Sequence, residues 1–186
     1  MYSTSDFRKG LKIEIDGKPF QMVEFLHVKP GKGGAFVRTK LKNLINGRVI
    51  DQTFRSGEKV GRPDIEEKEM QYLYKDGDTY CMMDNETYEQ IFLTEEQIED
   101  CRSFLLENTV VKMLTHNGEP IAIELPNFVT LTVTQSEPGL KGDTATGATK
   151  PATLETGHTL GVPLFVNEGD KIKVDTRTGE YVERAN

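Results

Sequence analysis

The chain has 186 residues, a formal net charge of −7 and 36% hydrophobic residues, which is typical of a globular protein with one or two domains. No apolar run is long enough to span a bilayer, and residues 1–12 lack the apolar core of a secretory signal. We therefore expect a cytoplasmic protein that does not contact a membrane.

Short strands separated by turn residues dominate the first part of the chain. Residues 11–15 alternate between apolar and polar, and Asp16-Gly17 turns the chain into the next strand. We predict further strands over residues 19–23, 25–28, 35–41 and 49–54. This density of short strands is typical of a small SH3-like barrel.

Two further modules follow the first. Residues 60–64 and 125–127 contain proline or glycine, which interrupt strands and helices, so we place domain boundaries there. A capping box of Thr94 and Gln97 predicts one helix in the middle module, running to about residue 107. In the last module a strand over residues 129–133 precedes a segment without strand signals over residues 136–151.

The sequence thus predicts an all-β fold of three small domains with one short helix in the middle domain. The first is SH3-like (KOW-like) over residues 1–63, the second covers residues 64–127, and the third covers residues 128–186. Domains this small bury only roughly 60% of their unfolded surface, so we expect each to depend on its neighbours. The alternative is one sandwich of eight to ten strands, which the proline and glycine boundaries disfavour.

Charge is distributed unevenly. Residues 1–64 hold 13 Lys+Arg and 7 Asp+Glu, a net charge of +6, whereas residues 65–186 hold 10 and 23, a net charge of −13. No acidic residue lies between Glu24 and Asp51, but six basic residues do. Chance variation between small domains is the alternative explanation, but the clustering favours RNA contact by Arg38, Lys40 and Lys42, since such side chains neutralise phosphates.

The connection between two of these strands presents Lys32 among residues without bulk. The hairpin tip around Lys32 consists of Lys29, Pro30, Gly31, Gly33 and Gly34, and the direct neighbours of Lys32 are glycines. Proline fixes one backbone angle and glycine permits conformations closed to other residues. An exposed lysine in an ordinary loop is the alternative. The glycines, the proline and the acid-free strands favour a long cation that reaches into a narrow, phosphate-lined cleft or is enzymatically modified.

Motifs of known enzyme classes are missing. There is no phosphate-binding glycine loop and no nucleophile elbow, and the three histidines have no neighbours at metal-ligand spacing. We therefore expect no catalytic residues, no metal and no cofactor. The long loop over residues 138–151 is either functional, through donors that contact RNA, or disordered.

The residues also resemble the bacterial elongation factor P family along essentially the whole chain. The segments that carry the resemblance are residues 7–11, 28–36, 40–41, 72–74, 83–90, 138–144, 150–157, 162–166, 174–177 and 179–181. The resemblance implies an SH3-like domain followed by two OB-fold domains, arranged as an elongated L similar to tRNA. It also implies a monomeric translation factor of the cytoplasm that is not an enzyme.

By the same resemblance the chain binds the 70S ribosome between the P and E sites and relieves stalling at consecutive prolines. It would do so by positioning the P-site peptidyl-tRNA and stimulating peptide-bond formation. Lys32 would reach toward the tRNA acceptor end, carrying in many members an extension added by a lysine-modifying enzyme. Gly142, Asp143 and Thr144 would lie near the E-site codon, in contact with ribosomal RNA and proteins of the small subunit.

Three other interpretations stay open. A plain OB-type RNA-binding module would bind in proportion to its total basic charge, so Lys32 would matter no more than Lys42. An enzyme would depend on a carboxylate rather than on Lys32. An elongation factor P-like paralogue is the third, and the Pro-Gly-Lys-Gly-Gly sequence of residues 30–34 favours the main branch.

Overall fold

The computed structural model describes residues 1–139 and 147–186. The described residues are mostly β-strands, and the predicted all-β class is confirmed. They divide into two compact units, one of residues 1–67 with 114–122 and one of residues 68–113 with 123–186. The domain boundaries predicted from the sequence stay a prediction.

The first sheet is antiparallel and follows the order β2-β3-β4-β5. Two further short strands, β1 and β6, pair with each other. Their bounds are β1 (Tyr2–Ser3), β2 (Lys12–Ile15), β3 (Lys18–Val28), β4 (Phe36–Asn43), β5 (Val49–Arg55) and β6 (Lys59–Val60).

Turn chemistry fixes the register of this sheet. Asp16 and Gly17 both have positive φ (52° and 75°), as the tight turn between β2 and β3 requires. The two strands predicted over residues 19–23 and 25–28 form the single strand β3, because a bulge at Val23 shifts the pairing without ending the strand. The inward side chains form a core that includes Ile13, Met22 and Leu41.

The second sheet follows the order β11-β10-β7-β8-β9. Its strands are β7 (Ile65–Asp76), β8 (Thr79–Asp84), β9 (Gln90–Thr94), β10 (Val110–His116) and β11 (Glu119–Glu124). Between β9 and β10 lies the helix α1 (Glu95–Ile98), which continues as a 3₁₀ helix over Glu99–Phe104.

The helix begins where the sequence predicts and ends earlier. The Thr94 side chain accepts a hydrogen bond from the backbone N–H of Gln97 (3.3 Å), and the Gln97 side chain accepts one from Thr94 N–H (2.9 Å). The predicted end near residue 107 is wrong, because the chain tightens to 3₁₀ geometry after Ile98 and Leu105 is already extended. Ile98, Cys101 and Leu105 still pack into one core.

The third sheet follows the order β14-β13-β12-β15-β16, so β12 lies at its centre. Its strands are β12 (Phe128–Ser136), β13 (Thr149–Leu154), β14 (Thr159–Pro163), β15 (Lys171–Asp175) and β16 (Glu180–Arg184). Their inward side chains, with Phe104 from the 3₁₀ helix, form a separate core.

The prediction that residues 136–151 lack strands is wrong at both ends of this segment, because β12 includes Ser136 and β13 begins at Thr149. Strand β13 already includes Lys150 and Pro151. Pairing of β13 with β12 starts only at Ala152, opposite Ser136. Pro151 lies opposite Gly161 of β14 and precedes the residues that pair with β12. The N–H group that proline lacks is therefore not required for a hydrogen bond to β12.

Candidate nucleic-acid interface

Strands β3 and β4 and the loop between them form what we call the basic hairpin. The strands pair from Phe20 opposite Asn43 to Val28 opposite Phe36, and residues 29–35 connect them. Lys32 is exposed, as are Lys29, Pro30, Gly31, Gly33 and Gly34. Within residues 1–139 and 147–186, the Lys32 side chain makes no hydrogen bond and no ion pair. The loop therefore presents the Lys32 ammonium group to solvent.

Only one of the three loop glycines adopts a backbone conformation that favours glycine. Gly33 has φ of 96°, whereas Gly31 and Gly34 lie outside the positive-φ region. The conformational freedom that glycine permits is therefore used at Gly33 and not at Gly31 or Gly34. The end of the loop is held by a hydrogen bond from Ser56 N–H to the Ala35 carbonyl (3.0 Å).

Arg38, Lys40 and Lys42 all lie on one side of β4, which we call the outer face. They alternate with the buried side chains of Val37 and Leu41, so strand periodicity alone brings the three cations together. Arg38 and Lys40 are exposed, whereas Lys42 is half-buried and has interactions of its own. That these cations bind RNA stays a prediction.

The outer face carries less net positive charge than the acid-free stretch of sequence suggests, because acidic residues of the neighbouring strands lie on it. Lys40 lies opposite Glu24 of β3 and opposite Asp51 of β5, the two acids that bound the acid-free stretch. Opposite charges on directly facing strand positions stabilise a sheet by roughly 0.2–1 kcal/mol. Sequence reasoning missed both pairings, although the Asn46-Gly47 turn between β4 and β5 carried a signal from which the pairing of Lys40 with Asp51 could have been counted.

Arg38 has apolar neighbours instead. Its guanidinium carbon lies 5.4 Å from the centre of the Phe36 ring, and Leu26 lies opposite it on β3 with 61% of its surface exposed. A groove of about 480 Å³ crosses β3, β4 and β5 beside these residues. An arginine against an aromatic ring above apolar surface can contact both a phosphate and the face of a base.

Gly142, Asp143 and Thr144 lie outside the described residues. Among the residues that are described, no group of three or more His, Cys, Asp or Glu could hold a metal ion. No helix within these ranges has the length and apolar character needed to cross a bilayer.

Three family models match successive parts of the chain. They describe the elongation factor P KOW-like domain over residues 3–60, the elongation factor P OB domain over residues 65–123, and the elongation factor P C-terminal region over residues 129–184. A protein named elongation factor P from Nitratidesulfovibrio vulgaris is 61% identical over 184 residues, which are 99% of this chain and 100% of that protein.

The chain belongs to the elongation factor P family.

Other members of the elongation factor P family are equally similar over their full length. The protein of that name from Maridesulfovibrio salexigens is 63% identical over 99% of both chains, and that from Moorella thermoacetica is 61% identical over 100% of both. Among solved structures, translation initiation factor 5A from Methanococcus jannaschii has a TM-score of 0.51 at 27% identity, covering 67% of this chain and 93% of its own.

Membership of the elongation factor P family identifies the chain as a translation elongation factor with a KOW-like first domain followed by an OB domain. The basic hairpin falls entirely within the part that matches the KOW-like domain. The segment of residues 142–144 falls within the match to the C-terminal region.

Proposed function

We propose that this elongation factor binds the 70S ribosome between the P and E sites, as a monomer in the cytoplasm. There it positions the P-site peptidyl-tRNA and stimulates peptide-bond formation at consecutive prolines. The proposal gives Lys32 the central role, reaching toward the acceptor end of the tRNA. The observation that carries it is the exposed Lys32 ammonium group, which has no partner among the described residues and stands at the tip of a two-stranded hairpin.

The proposed mechanism is positional. Proline is a poor participant in peptide transfer, because its ring restricts the backbone geometry of the reacting groups. A cation that holds the acceptor end in one alignment lowers the entropic part of the barrier, and well-oriented reactants gain several kcal/mol in this way. The factor supplies position and charge and has no catalytic residue of its own.

Lys32 is also the proposed attachment point of an extension added by a lysine-modifying enzyme. Two features of the loop support this. Lys32 is exposed, and a Cβ atom placed on Gly31, Gly33 or Gly34 would meet nothing within 4 Å, so the surroundings of the lysine are open. The intact mass of the protein purified from its native host tests the extension directly. A mass equal to that of the unmodified 186 residues would contradict it.

Two further contacts complete the proposal. Arg38, Lys40 and Lys42 contact RNA through the outer face. Arg38 lies opposite no carboxylate on either neighbouring strand and can bind a phosphate, whereas Glu24 and Asp51 lie opposite Lys40 and offset its charge. Gly142, Asp143 and Thr144 approach the E-site codon together with RNA and proteins of the small subunit. Support for this last contact comes from the sequence of the segment alone.

The test is diproline-containing peptide synthesis in a purified translation system. Lys32→Ala is expected to lose most of the stimulation at consecutive prolines, because Lys32 is the lysine at the tip, whereas Lys29, the other lysine of the loop, directly follows strand β3. Lys18→Ala is the matched control, since Lys18 is an exposed lysine at a turn of the same sheet. Lys42 is a poorer control, because it is half-buried and has interactions of its own.

The two variants also separate the proposal from a plain RNA-binding module. Such a module would lose equal activity in Lys32→Ala and Lys18→Ala, because both remove one positive charge. Full stimulation by Lys32→Ala, at the level of the native protein, would overturn the role of Lys32.

A further inference from the structure

A second basic site lies away from the hairpin tip, in a cleft that we call the Arg8 cleft. Its volume is about 240 Å³, and Arg8, Lys12 and Arg62 contribute the positive charges that line it. Glu67 is the one carboxylate among the lining residues, and Tyr2 adds a phenolic hydroxyl. Three cations against one carboxylate leave a net charge of +2 around the cleft, which favours an anion.

Two of the three cations, Arg8 and Arg62, are available to bind a ligand. Within the described ranges, neither the Arg8 nor the Arg62 guanidinium donates a hydrogen bond or joins an ion pair, and the Arg8 and Arg62 side chains are exposed. Lys12 lies 3.9 Å from the Glu67 carboxylate, at the outer limit of an ion pair. Arginine presents a planar fork of donors that matches the oxygens of a phosphate, so two unused guanidinium groups beside one cleft indicate a phosphate ligand.

The backbone on one wall of the cleft is fixed. Leu11 N–H donates to the Arg8 carbonyl (3.1 Å), and Gly10, with φ of 87°, completes this turn. Gly10 N–H in turn donates to the Met22 carbonyl (2.8 Å), which ties the turn to strand β3. Arg8 and Lys12 therefore start from positions that are set before any ligand arrives.

The segment that carries Arg62 is fixed in a similar way. Glu14 N–H donates to the Gly61 carbonyl (3.0 Å), and a Cβ atom on Gly61 would lie 3.2 Å from the Cβ of Glu14, so the two segments pack backbone to backbone. Pro63 restricts the chain on the other side of Arg62. A site whose backbone is ordered in advance loses less entropy when a ligand binds.

We propose that the Arg8 cleft binds a phosphate of an RNA backbone. A phosphodiester carries one negative charge, which the net charge of +2 around the cleft can neutralise. The inference rests on the proposed function only for its choice of RNA as the source of the phosphate. The site is separate from Lys32, and its test uses binding to the free protein, so failure of one proposal does not affect the other.

The experiment is an amide chemical-shift titration of the full-length ¹⁵N-labelled protein with hexauridylate RNA, and separately with inorganic phosphate at constant ionic strength. With the RNA, the amide signals of Gly10, Lys12 and Arg62 are expected to shift together. The Arg8→Gln, Arg62→Gln double variant should lower RNA affinity about tenfold. The slope of log K against log salt should weaken by about 0.7 for each phosphate that the variant no longer neutralises.

The matched control is Lys18→Gln, Arg48→Gln, which removes two exposed positive charges outside the cleft, one at the start of β3 and one in the connection between β4 and β5. It should keep most of the affinity and the shifts at Gly10 and Lys12. An equal loss in both double variants would overturn the site, because affinity would then follow total charge alone. Shifts at the cleft with inorganic phosphate but not with RNA would overturn the RNA source, and no shifts with either would overturn the whole inference.

Discussion

Gly33 and Gly34 stand side by side at the tip of the basic hairpin, but only Gly33 has a positive φ. We expect Gly33→Ala to lower the free energy of unfolding by roughly 1 kcal/mol, because an L side chain is strained in that conformation. Gly34→Ala, with open space around its Cβ, should change it by less or raise it by about 0.4–1 kcal/mol. Urea unfolding of both variants measures the difference. An equal loss of unfolding free energy in both would refute the conclusion that the positive φ of Gly33 requires glycine.

The turn between β8 and β9 depends on one carboxylate. Asp84 accepts hydrogen bonds from the backbone N–H groups of Glu86 (2.8 Å) and Thr87 (3.3 Å), and these hold the pKa of the Asp84 carboxyl below its ordinary value. The ionised carboxylate therefore stabilises the folded chain fully above the unfolded pKa. That contribution is lost as the pH falls through the lower, folded pKa.

Asp84→Asn is accordingly expected to lower the melting temperature at pH 7, and the difference from the native protein should shrink as the pH falls below about 4. Asp64→Asn is the control, because Asp64 is exposed and its side chain makes no hydrogen bond among the described residues. Calorimetric scans from about pH 7 to about pH 3, a range that spans the ordinary pKa of aspartate, give both quantities. A difference that stayed constant over that range would show that charge does not matter at this turn.

At the scale of single elements, the short helix α1 depends on its cap. Thr94→Ala removes the side-chain acceptor of Gln97 N–H and should cost about 1 kcal/mol, within the usual range of roughly 0.5–2 kcal/mol for such caps. Thr94→Ser keeps the oxygen and should restore most of that stability. Thermal unfolding compares the two. If serine were as destabilising as alanine, packing of the threonine methyl group rather than capping would explain the loss.

Most strands could be predicted because their signals are local. Alternation placed β2, β4 and β5 within a few residues, and the Asp16-Gly17 turn marked the end of β2 and the start of β3. The 3₁₀ geometry after Ile98 carried no such signal, since Cys101 and Leu105 fit either helix type on one apolar face. Strand β13 was not predicted, because Pro151 argues against a strand until the pairing on each side is known.

The candidate site was only partly predictable for the same reason. Lys32 and the spacing of Arg38, Lys40 and Lys42 are visible within one stretch of sequence. The Arg8 cleft joins residues from opposite ends of residues 1–67, so only the paired strands bring Arg8 and Arg62 to one place. The carboxylates of Glu24 and Asp51 likewise meet Lys40 only through cross-strand register.

At the scale of the whole molecule, the positive charge coincides with most of the proposed RNA contacts. Residues 1–64 carry a net charge of +6 and include the basic hairpin, the outer face and all three cations of the Arg8 cleft. The remaining residues carry −13. Because phosphate contacts dominate affinity for nucleic acid, a basic part can anchor the factor to RNA while the acidic remainder opposes non-specific binding.

The first compact unit also includes residues that are distant in sequence. Leu114 and Ile121, from β10 and β11, form a buried cluster with Leu44. Leu114→Ala should therefore cost about 2–5 kcal/mol and act on the first unit, because it leaves a cavity beside Leu44. Native-state hydrogen exchange should show faster exchange at the amides of β3 and β4. Leu131→Ala, in the core of the third sheet, is the control and should leave those amides unchanged. If Leu114→Ala left exchange in β3 and β4 unaltered, the cluster would not stabilise the unit that carries Lys32.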